Sequence, residues 1–222
     1  MTRPLLVLRP QPSADRTVEA ARAIGLEAVA APLFELRAVA WRPPITMPQA
    51  VLMTSASAAR LGGDGLGAVT HLPLYAVGDA TAEAARAAGF AHVVIGGGDA
   101  AAIAATAAAD GVTSLLHLAG REHRVVTIPG LGIETRIVYA ADAVEALPRV
   151  ARAVLPDAVA LLHSARAAAA FARLAPERAR IAVAAISRAA LSASGGGWRA
   201  AAVASAPTDA ALLAAAAKLC DH

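Results

Sequence analysis

Serine, glycine and arginine residues directly follow most of the short apolar runs in this sequence. They are Arg9, Ser55, Ser57, Gly78, Gly96 to Gly98, Gly120, Arg121, Ser164, Arg166, Ser187 and Arg188, and Asp79 follows Gly78 in the same series. Most of them precede a helical pattern, and the first N–H groups of a helix have no partner within it. Hydroxyl, guanidinium and backbone N–H groups all donate hydrogen bonds to anions. The series predicts a site for a ligand with several anionic groups, although any single serine is typical of an ordinary helix N-cap.

The apolar runs are the elements that must position these residues. The runs with the length of a strand are 5–8, 27–31, 50–54, 74–77, 92–95, 115–119, 157–163, 181–186 and 199–204. Helical patterns alternate with them, which is typical of an α/β fold. The runs are apolar throughout instead of alternating, as expected for parallel sheets covered on both faces. Because ligands bind beyond the carboxyl ends of such strands, the polar residues at the run ends form the candidate site.

The sequence repeats itself in a series of strand–turn–helix junctions. QAVLMTSASAARL resembles DAVALLHSARAAAAF, and the next two junctions of each half match in the same order. The first and second junctions are 23 positions apart in both halves, and the first and third are 44 and 45 positions apart. The repeat therefore predicts two similar α/β domains. The matched pairs are Ser55 with Ser164, Gly78 with Ser187, and Asp99 with Asp209.

The two predicted domains are not consecutive in the chain. The second half of the repeat holds only three predicted strands, and the N-terminal strand–helix–strand segment would complete it to five. We therefore predict a first α/β domain from residues 1–35 plus 143–222 and a second from residues 42–133. The crossing segments, 36–41 and 134–142, are β-like and of similar length, so we expect them to pair as a two-stranded connector.

Composition argues against several classes of partner. The 222 residues include 20 Lys and Arg and carry a net charge of +3, but no Arg-rich run occurs and aromatic residues make up only 3%. This pattern does not favour binding to nucleic acid. The single cysteine, Cys220, provides neither a disulfide framework nor a thiolate metal cluster. The N-terminal apolar run has four residues and no run approaches the ~20 residues of a membrane span, so we expect a cytoplasmic protein without a membrane partner.

Strong acid–base or nucleophilic motifs do not occur in the sequence. It has no G-x-S-x-G elbow, no P-loop lysine and no H-x-x-x-H spacing. GGGDAA (96–101) fits a dinucleotide fingerprint, but Gly120 and Arg121 stand where an acidic residue is expected about 20 positions later. Tyr139 is the one ionisable hydroxyl near the predicted domain crossing. Two functions stay open on this basis: a non-enzymatic two-domain binder of a small polyanion, and a nucleotide-dependent α/β enzyme that uses Gly96–Gly98.

Six segments of the sequence resemble one known family when they are taken in order. They are LLVLRP, LMTSASAARL, LYAVGDATAEAARAAGF, LLHLAGRE, TRIVYAA and LLHSARAAAAF, and they resemble the uroporphyrinogen-III synthase family. The resemblance implies two similar flavodoxin-like α/β domains with parallel sheets, joined by a two-stranded β connector. It also implies a lyase of tetrapyrrole and haem biosynthesis that closes hydroxymethylbilane to uroporphyrinogen III, with loss of water and inversion of ring D. No metal or organic cofactor is implied.

The resemblance also implies roles for particular residues. Tyr139 matches the tyrosine proposed to assist departure of the substrate hydroxyl, and Ser55, Thr81 and Ser164 match turns that face the substrate carboxylates. The implied partners are the linear tetrapyrrole and, for its hand-over, hydroxymethylbilane synthase, and we expect a monomer. The candidate substrate-binding residues are therefore Arg9, Ser55, Ser57, Gly78, Thr81, Ser164, Arg166 and Ser187.

The chain departs from the family pattern at two places. Residues 123–135 are short and rich in glycine and proline, so the helix expected there is shortened or missing. In AISRAALSA, Arg188, Ala189 and Ala190 stand where many relatives have proline and threonine. We therefore expect a hydroxyl contact to be lost at this turn and a charge from Arg188 to be available in its place.

Overall fold

The computed structural model describes residues 3–155 and 157–220 of the chain. Contacts between residues divide the chain into two compact units. Unit 1 comprises Met1–Glu35 together with Ala143–His222, and unit 2 comprises Leu36–Asp142. The chain therefore passes from unit 1 into unit 2 after residue 35 and returns to unit 1 at residue 143.

Strands and helices alternate along most of the described chain, as the apolar runs predict. The strands are β1 (Leu5–Val7), β2 (Ala28–Ala30), β3 (Phe34–Ala38), β4 (Ala50–Met53), β5 (Leu74–Val77), β6 (Val93–Gly96), β7 (Ser114–Gly120), β8 (Gly132–Ala143), β9 (Val159–Leu162), β10 (Ala182–Ala185) and β11 (Ala200–Val203). The α-helices are α1 (Ser13–Ala23), α2 (Ala56–Leu61), α3 (Asp79–Ala87), α4 (Ala100–Ala109), α5 (Arg149–Val154), α6 (Ala165–Leu174), α7 (Arg188–Ala193) and α8 (Asp209–Cys220). Short 3-10 helices cover Gly63–Ala68 and Arg178–Arg180.

Unit 1 contains a five-stranded sheet in the order β11-β10-β9-β1-β2. Neighbouring strands are parallel, and Leu5 lies opposite Ala28 on one side and Val159 on the other. β1, β9 and β10 are buried along their whole length, which explains why their sequences are apolar throughout. Counted along the chain, the strand order is 2-1-3-4-5, which is the flavodoxin-like arrangement.

Unit 2 contains a six-stranded sheet in the order β3-β8-β7-β4-β5-β6. The pairs from β8 through to β6 are parallel. The run β6-β5-β4-β7-β8 has the same arrangement as β11-β10-β9-β1-β2, so the strands matched in the sequence repeat take matched places in their sheets. The α/β class and the similarity of the two halves are thereby confirmed. The two units differ in which strand of this arrangement comes first along the chain. In unit 1 it is β1, whereas in unit 2 it is β4, which takes the place that β9 has in unit 1.

The segments 36–41 and 134–142, which we assigned to a connector, contribute to the sheet of unit 2. β3 lies at the sheet edge beside β8, and the Val39 N–H donates to the Val138 carbonyl at 2.9 Å. β8 also pairs with β7, starting where Ser114 lies opposite Gly132. The two segments therefore pair with each other at the edge of the sheet of unit 2, and the parallel strands of that unit continue the sheet on the other side of β8.

The segment between β7 and β8 contains no helix. Residues 121–131 are irregular apart from one antiparallel bridge between Ile128 and Leu131 and the turn that the bridge encloses. Pro129 and Gly130 lie inside this bridge, and Gly130 has a φ of 80°. The chain consequently moves from β7 to its parallel neighbour β8 without the crossover helix that the family pattern places there.

Candidate active site

Serines at the carboxyl ends of parallel strands begin several helices. Ser55, Ser164 and Ser187 have extended backbones and are the N-caps of α2, α6 and α7. Each Oγ accepts a hydrogen bond from a first-turn backbone N–H, at 3.1 to 3.2 Å. Because a hydroxyl also carries a proton, each serine keeps a donor for a ligand while it caps its helix. Each serine can therefore cap its helix and donate a hydrogen bond to a ligand at the same time.

The turn after β5 has a glycine in the N-cap position instead of a serine. Gly78 has φ 74° and ψ 162°, a conformation that residues with a Cβ rarely adopt. The Thr81 N–H donates to the Gly78 carbonyl at 3.2 Å, but no side chain caps α3, so the N–H groups of Asp79 and Ala80 keep their hydrogen-bonding capacity within the part of the chain that the structure describes. Thr81, in the first turn of α3, is only 4% exposed. The backbone N–H groups, more than the Thr81 hydroxyl, are therefore the accessible donors at this turn.

The glycine-rich turn after β6 ends in an aspartate whose carboxylate caps the next helix. Asp99 is the N-cap of α4, and its Oδ1 accepts hydrogen bonds from the N–H groups of Ala101 and Ala102, both at 3.0 Å. This carboxylate occupies the helix start that the pyrophosphate of a dinucleotide would need. The structure therefore gives no support to a nucleotide site at Gly96–Gly98.

The sequence repeat matched Asp209 with Asp99, but Asp209 does not cap its helix as Asp99 does. The hydroxyl of Thr208 accepts a first-turn N–H of α8 at 3.2 Å, so Thr208 is the structural match of the Asp99 cap. Thr208 follows Ser164 by 44 positions, the spacing that also separates Ser55 from Asp99. The one-residue offset leaves the carboxylate of Asp209 available for other contacts.

Asp209 uses its carboxylate to bind Arg9. Arg9 Nη1 donates to the two carboxylate oxygens at 2.9 and 2.8 Å, and the hydroxyl of Thr17 donates to Oδ2 at 2.8 Å. His163 Nε2 lies 3.5 Å from Oδ1 and its side chain is buried. Together His163, Thr17 and Arg9 lower the pKa of Asp209 to about 2, although partial burial opposes this shift. The charge of Arg9, which we predicted to face a ligand, is therefore balanced within unit 1.

The serine caps of α2 and α6 are each followed two positions later by another polar residue. Ser57 follows Ser55, and its N–H is the donor to the Ser55 hydroxyl. Arg166 follows Ser164, and its guanidinium lies 4.4 Å from the centroid of the Phe34 ring. The ring lies beside the guanidinium of this exposed arginine, and the contact orients a cation next to a serine cap at this edge of unit 1.

Tyr139 lies in β8 at the carboxyl end of β7. Its half-buried ring packs against the hydrophobic core of unit 2 and lies across Gly120. A Cβ on Gly120 would be 2.5 Å from Cζ and 2.8 Å from the hydroxyl oxygen of Tyr139. Among the described residues no hydrogen bond of the Tyr139 hydroxyl is present. The phenol is therefore a donor that a ligand can use.

An ion-pair cluster surrounds Asp142, which lies on the strand that carries Tyr139. Arg37 and Arg121 both bind the carboxylate of Asp142, the latter at 2.9 Å from Oδ1. Arg37 and Arg121 lower the pKa of Asp142 despite its exposed position. The Arg121 N–H also donates to the Tyr139 carbonyl at 2.9 Å. Sequence reasoning selected Arg121 but missed its partner Asp142, which is 21 positions away, and also missed Arg37, which is 105 positions from Asp142.

In residues 3–155 and 157–220, no three His, Cys, Asp or Glu side chains are grouped so that they could hold a metal ion. None of the helices in these ranges is long and apolar enough to cross a membrane.

The fold and the site define a class of protein with two α/β units of the same strand arrangement and hydrogen-bond donors at the carboxyl edges of their sheets. The sequence matches the family model described as uroporphyrinogen-III synthase HemD over residues 15–214. The chain therefore belongs to the uroporphyrinogen-III synthase family, as its sequence segments predicted. A search for relatives among curated proteins found no match.

Solved structures show a similar fold. The uroporphyrinogen-III synthetase from Helicobacter pylori 26695 is 17% identical, and the alignment covers 98% of this chain and 99% of that one with a TM-score of 0.66. A uroporphyrinogen III synthase from Thermus thermophilus is 16% identical over 96% of this chain and 98% of its own, with a TM-score of 0.41. The first comparison supports the two-unit α/β fold, and the second is too distant to add to it.

Proposed function

We propose that this protein closes hydroxymethylbilane, a linear tetrapyrrole, to uroporphyrinogen III, with loss of water and inversion of ring D. The family match over residues 15–214 carries the proposal. Loss of the substrate hydroxyl leaves a cation that the pyrrole stabilises, so this carbon–oxygen lyase reaction does not require a strong nucleophile. Closure without the enzyme gives the non-inverted type I isomer. The protein's main contribution is therefore to hold the substrate in the geometry of a spiro intermediate.

The substrate carboxylates are bound, in this proposal, by the donors at the helix starts. Ser55, Ser164 and Ser187 supply hydroxyl protons, and the uncapped start of α3 after Gly78 supplies backbone N–H groups. The positive ends of the helix dipoles add to the attraction for carboxylates. The proposed set also includes Arg9, Ser57, Thr81 and Arg166, of which Arg9 must share its charge with Asp209 and Thr81 is nearly buried.

Ser164 provides a test that separates capping from substrate binding. Asparagine and aspartate both cap helices about as well as serine, so Ser164→Asn and Ser164→Asp should unfold at nearly the same denaturant concentration as the wild type. Only aspartate places a negative charge where a substrate carboxylate is proposed to bind. We expect Ser164→Asp to raise KM about tenfold relative to Ser164→Asn, measured by steady-state kinetics. Equal KM values in the two variants would remove Ser164 from the substrate-binding set.

Tyr139 is the residue we propose to assist departure of the hydroxyl group. Its phenol has no hydrogen-bond partner among the described residues, so it can donate to the leaving oxygen of the substrate. Tyr139→Phe keeps the ring and removes this donor. We expect kcat to fall roughly 10- to 100-fold with KM little changed, because the interaction strengthens as charge develops on the oxygen. A Tyr139→Phe variant with the full wild-type kcat would contradict this role.

The proposal is tested by the isomer that the purified protein forms. Hydroxymethylbilane is supplied by a coupled deaminase, the product is oxidised, and isomers I and III are separated chromatographically. A non-enzymatic polyanion binder would bind the substrate without forming isomer III. We also propose that the protein is a cytoplasmic monomer that receives its substrate from hydroxymethylbilane synthase. Light scattering of the protein alone measures its oligomeric state, and light scattering with that enzyme added detects a complex between the two.

A further inference from the structure

The ladder between β7 and β8 contains an irregularity directly before Tyr139. Ala119 lies opposite Ile137, but the next residue, Gly120, lies opposite Tyr139 because the register shifts by one position. In a regular ladder Gly120 would face Val138. Such bulges re-aim a side chain locally, and here the shift brings the phenol of Tyr139 over Gly120.

We propose that Gly120 is a positioning residue, which together with this bulge holds the phenol of Tyr139 in place at the carboxyl end of β7. The inference rests on the proposed role of Tyr139 in the reaction. The contact is made by the functional end of the ring, because Cζ, the hydroxyl oxygen and Cε2 lie nearest to the point that a Cβ would occupy, at 2.5, 2.8 and 2.9 Å. Real Cβ atoms do not approach other heavy atoms this closely.

The absence of a side chain at Gly120 is therefore what permits the observed place of the ring. An alanine at this position must displace either the ring of Tyr139 or the strand β7. The ring packs against the core formed by residues such as Leu118 and Val138, so it has little room to move toward the interior. Displacement by about 1 Å is enough to cost up to ~100-fold in rate when the displaced group takes part in the reaction.

A thermal-stability cycle tests the packing part of the inference. We expect Gly120→Ala to lower Tm by about 5 °C when Tyr139 is present, because of overpacking, and to have almost no effect in a Tyr139→Ala background. In a Tyr139→Phe background the loss should persist, because Cζ remains. Gly132→Ala is the matched control on β8, since its Cβ would meet only the Thr113 carbonyl oxygen at 3.5 Å. An equal Tm loss in the wild-type and the Tyr139→Ala backgrounds would overturn the contact.

Kinetics test the positioning part. We expect Gly120→Ala to lower kcat about as much as Tyr139→Phe, with KM within about twofold of the wild type and no further loss in the double variant. Full kcat in Gly120→Ala, or losses that multiply in the double variant, would overturn the inference. If Gly120→Ala alone does not fold, folding of Gly120→Ala/Tyr139→Ala supports the contact. A wild-type protein that forms no isomer III contradicts the proposed function, whereas the Tm cycle reports on the contact independently.

Discussion

Between pH 6.5 and pH 4 the protein is expected to lose about 3 kcal/mol of stability through His117, since each pKa unit corresponds to about 1.4 kcal/mol. His117 lies in the centre of β7 and is 1% exposed. Burial, with a smaller effect from His123, lowers its pKa from 6.5 to about 4. The unfolded chain therefore takes up a proton near pH 6.5, and the folded chain does so only near pH 4. The stabilisation is complete above pH 6.5 and is lost as the pH falls through this window.

His117→Leu provides the control for this prediction. The Nε2 atom of His117 is buried without a hydrogen-bond partner among the described residues, so an apolar side chain of similar size should be tolerated at pH 7. Urea unfolding of both proteins from pH 7 to pH 4 gives the difference in free energy at each pH. The wild type should lose about 3 kcal/mol more than the variant across this window. If the free energy of unfolding depends on pH in the same way in both proteins, His117 does not have the lowered pKa on which this prediction rests.

Replacement of Phe171 by alanine is expected to lower the free energy of unfolding by about 3–5 kcal/mol. Phe171 is fully buried in α6 and its ring is stacked on Trp198, with centroids 5.6 Å apart and planes 9° from parallel. The substitution removes this contact and leaves a cavity under α6. Because Ser164 caps the same helix, loosening of α6 should also raise KM.

Phe171→Leu is the matched variant for this prediction, because it keeps most of the apolar volume while it removes the aromatic stacking. We expect it to cost about 1–2 kcal/mol, measured by the same urea titrations. A loss below about 1 kcal/mol in Phe171→Ala would mean that α6 repacks freely and that the Trp198 contact is not a major source of stability.

Local patterns in the sequence predicted the strands and the helix starts well. The run 74–77 is β5, and the spacing of 23 positions identified the turns in which Ser164 and Ser187 act as caps. These features depend on residues that are close in sequence, namely an apolar run followed by a small polar residue and a helical pattern. The family and the α/β class were predicted from such segments; the family model confirmed the family, and the two sheets confirmed the class.

Contacts between distant residues could not be predicted in this way. The pairing of Arg9 with Asp209 joins positions 200 apart and depends on the packing of α8 against the sheet of unit 1. The repeat matched Asp209 to Asp99, but a one-residue offset made Thr208 the cap and left Asp209 to bind Arg9. Likewise, the contact of Gly120 with Tyr139 depends on a bulge that leaves no signal in residue type. These packing details decide which donors are available to a ligand.

The fraction of isomer III formed from hydroxymethylbilane, measured as a function of protein concentration, tests the central claim most directly. Spontaneous closure gives isomer I at a rate that does not depend on the protein. If the chain has the activity of its family, isomer III should rise with added protein until it accounts for nearly all of the product, and heat-inactivated protein should have no effect. Formation of isomer I alone, at every concentration of folded protein, would contradict the account.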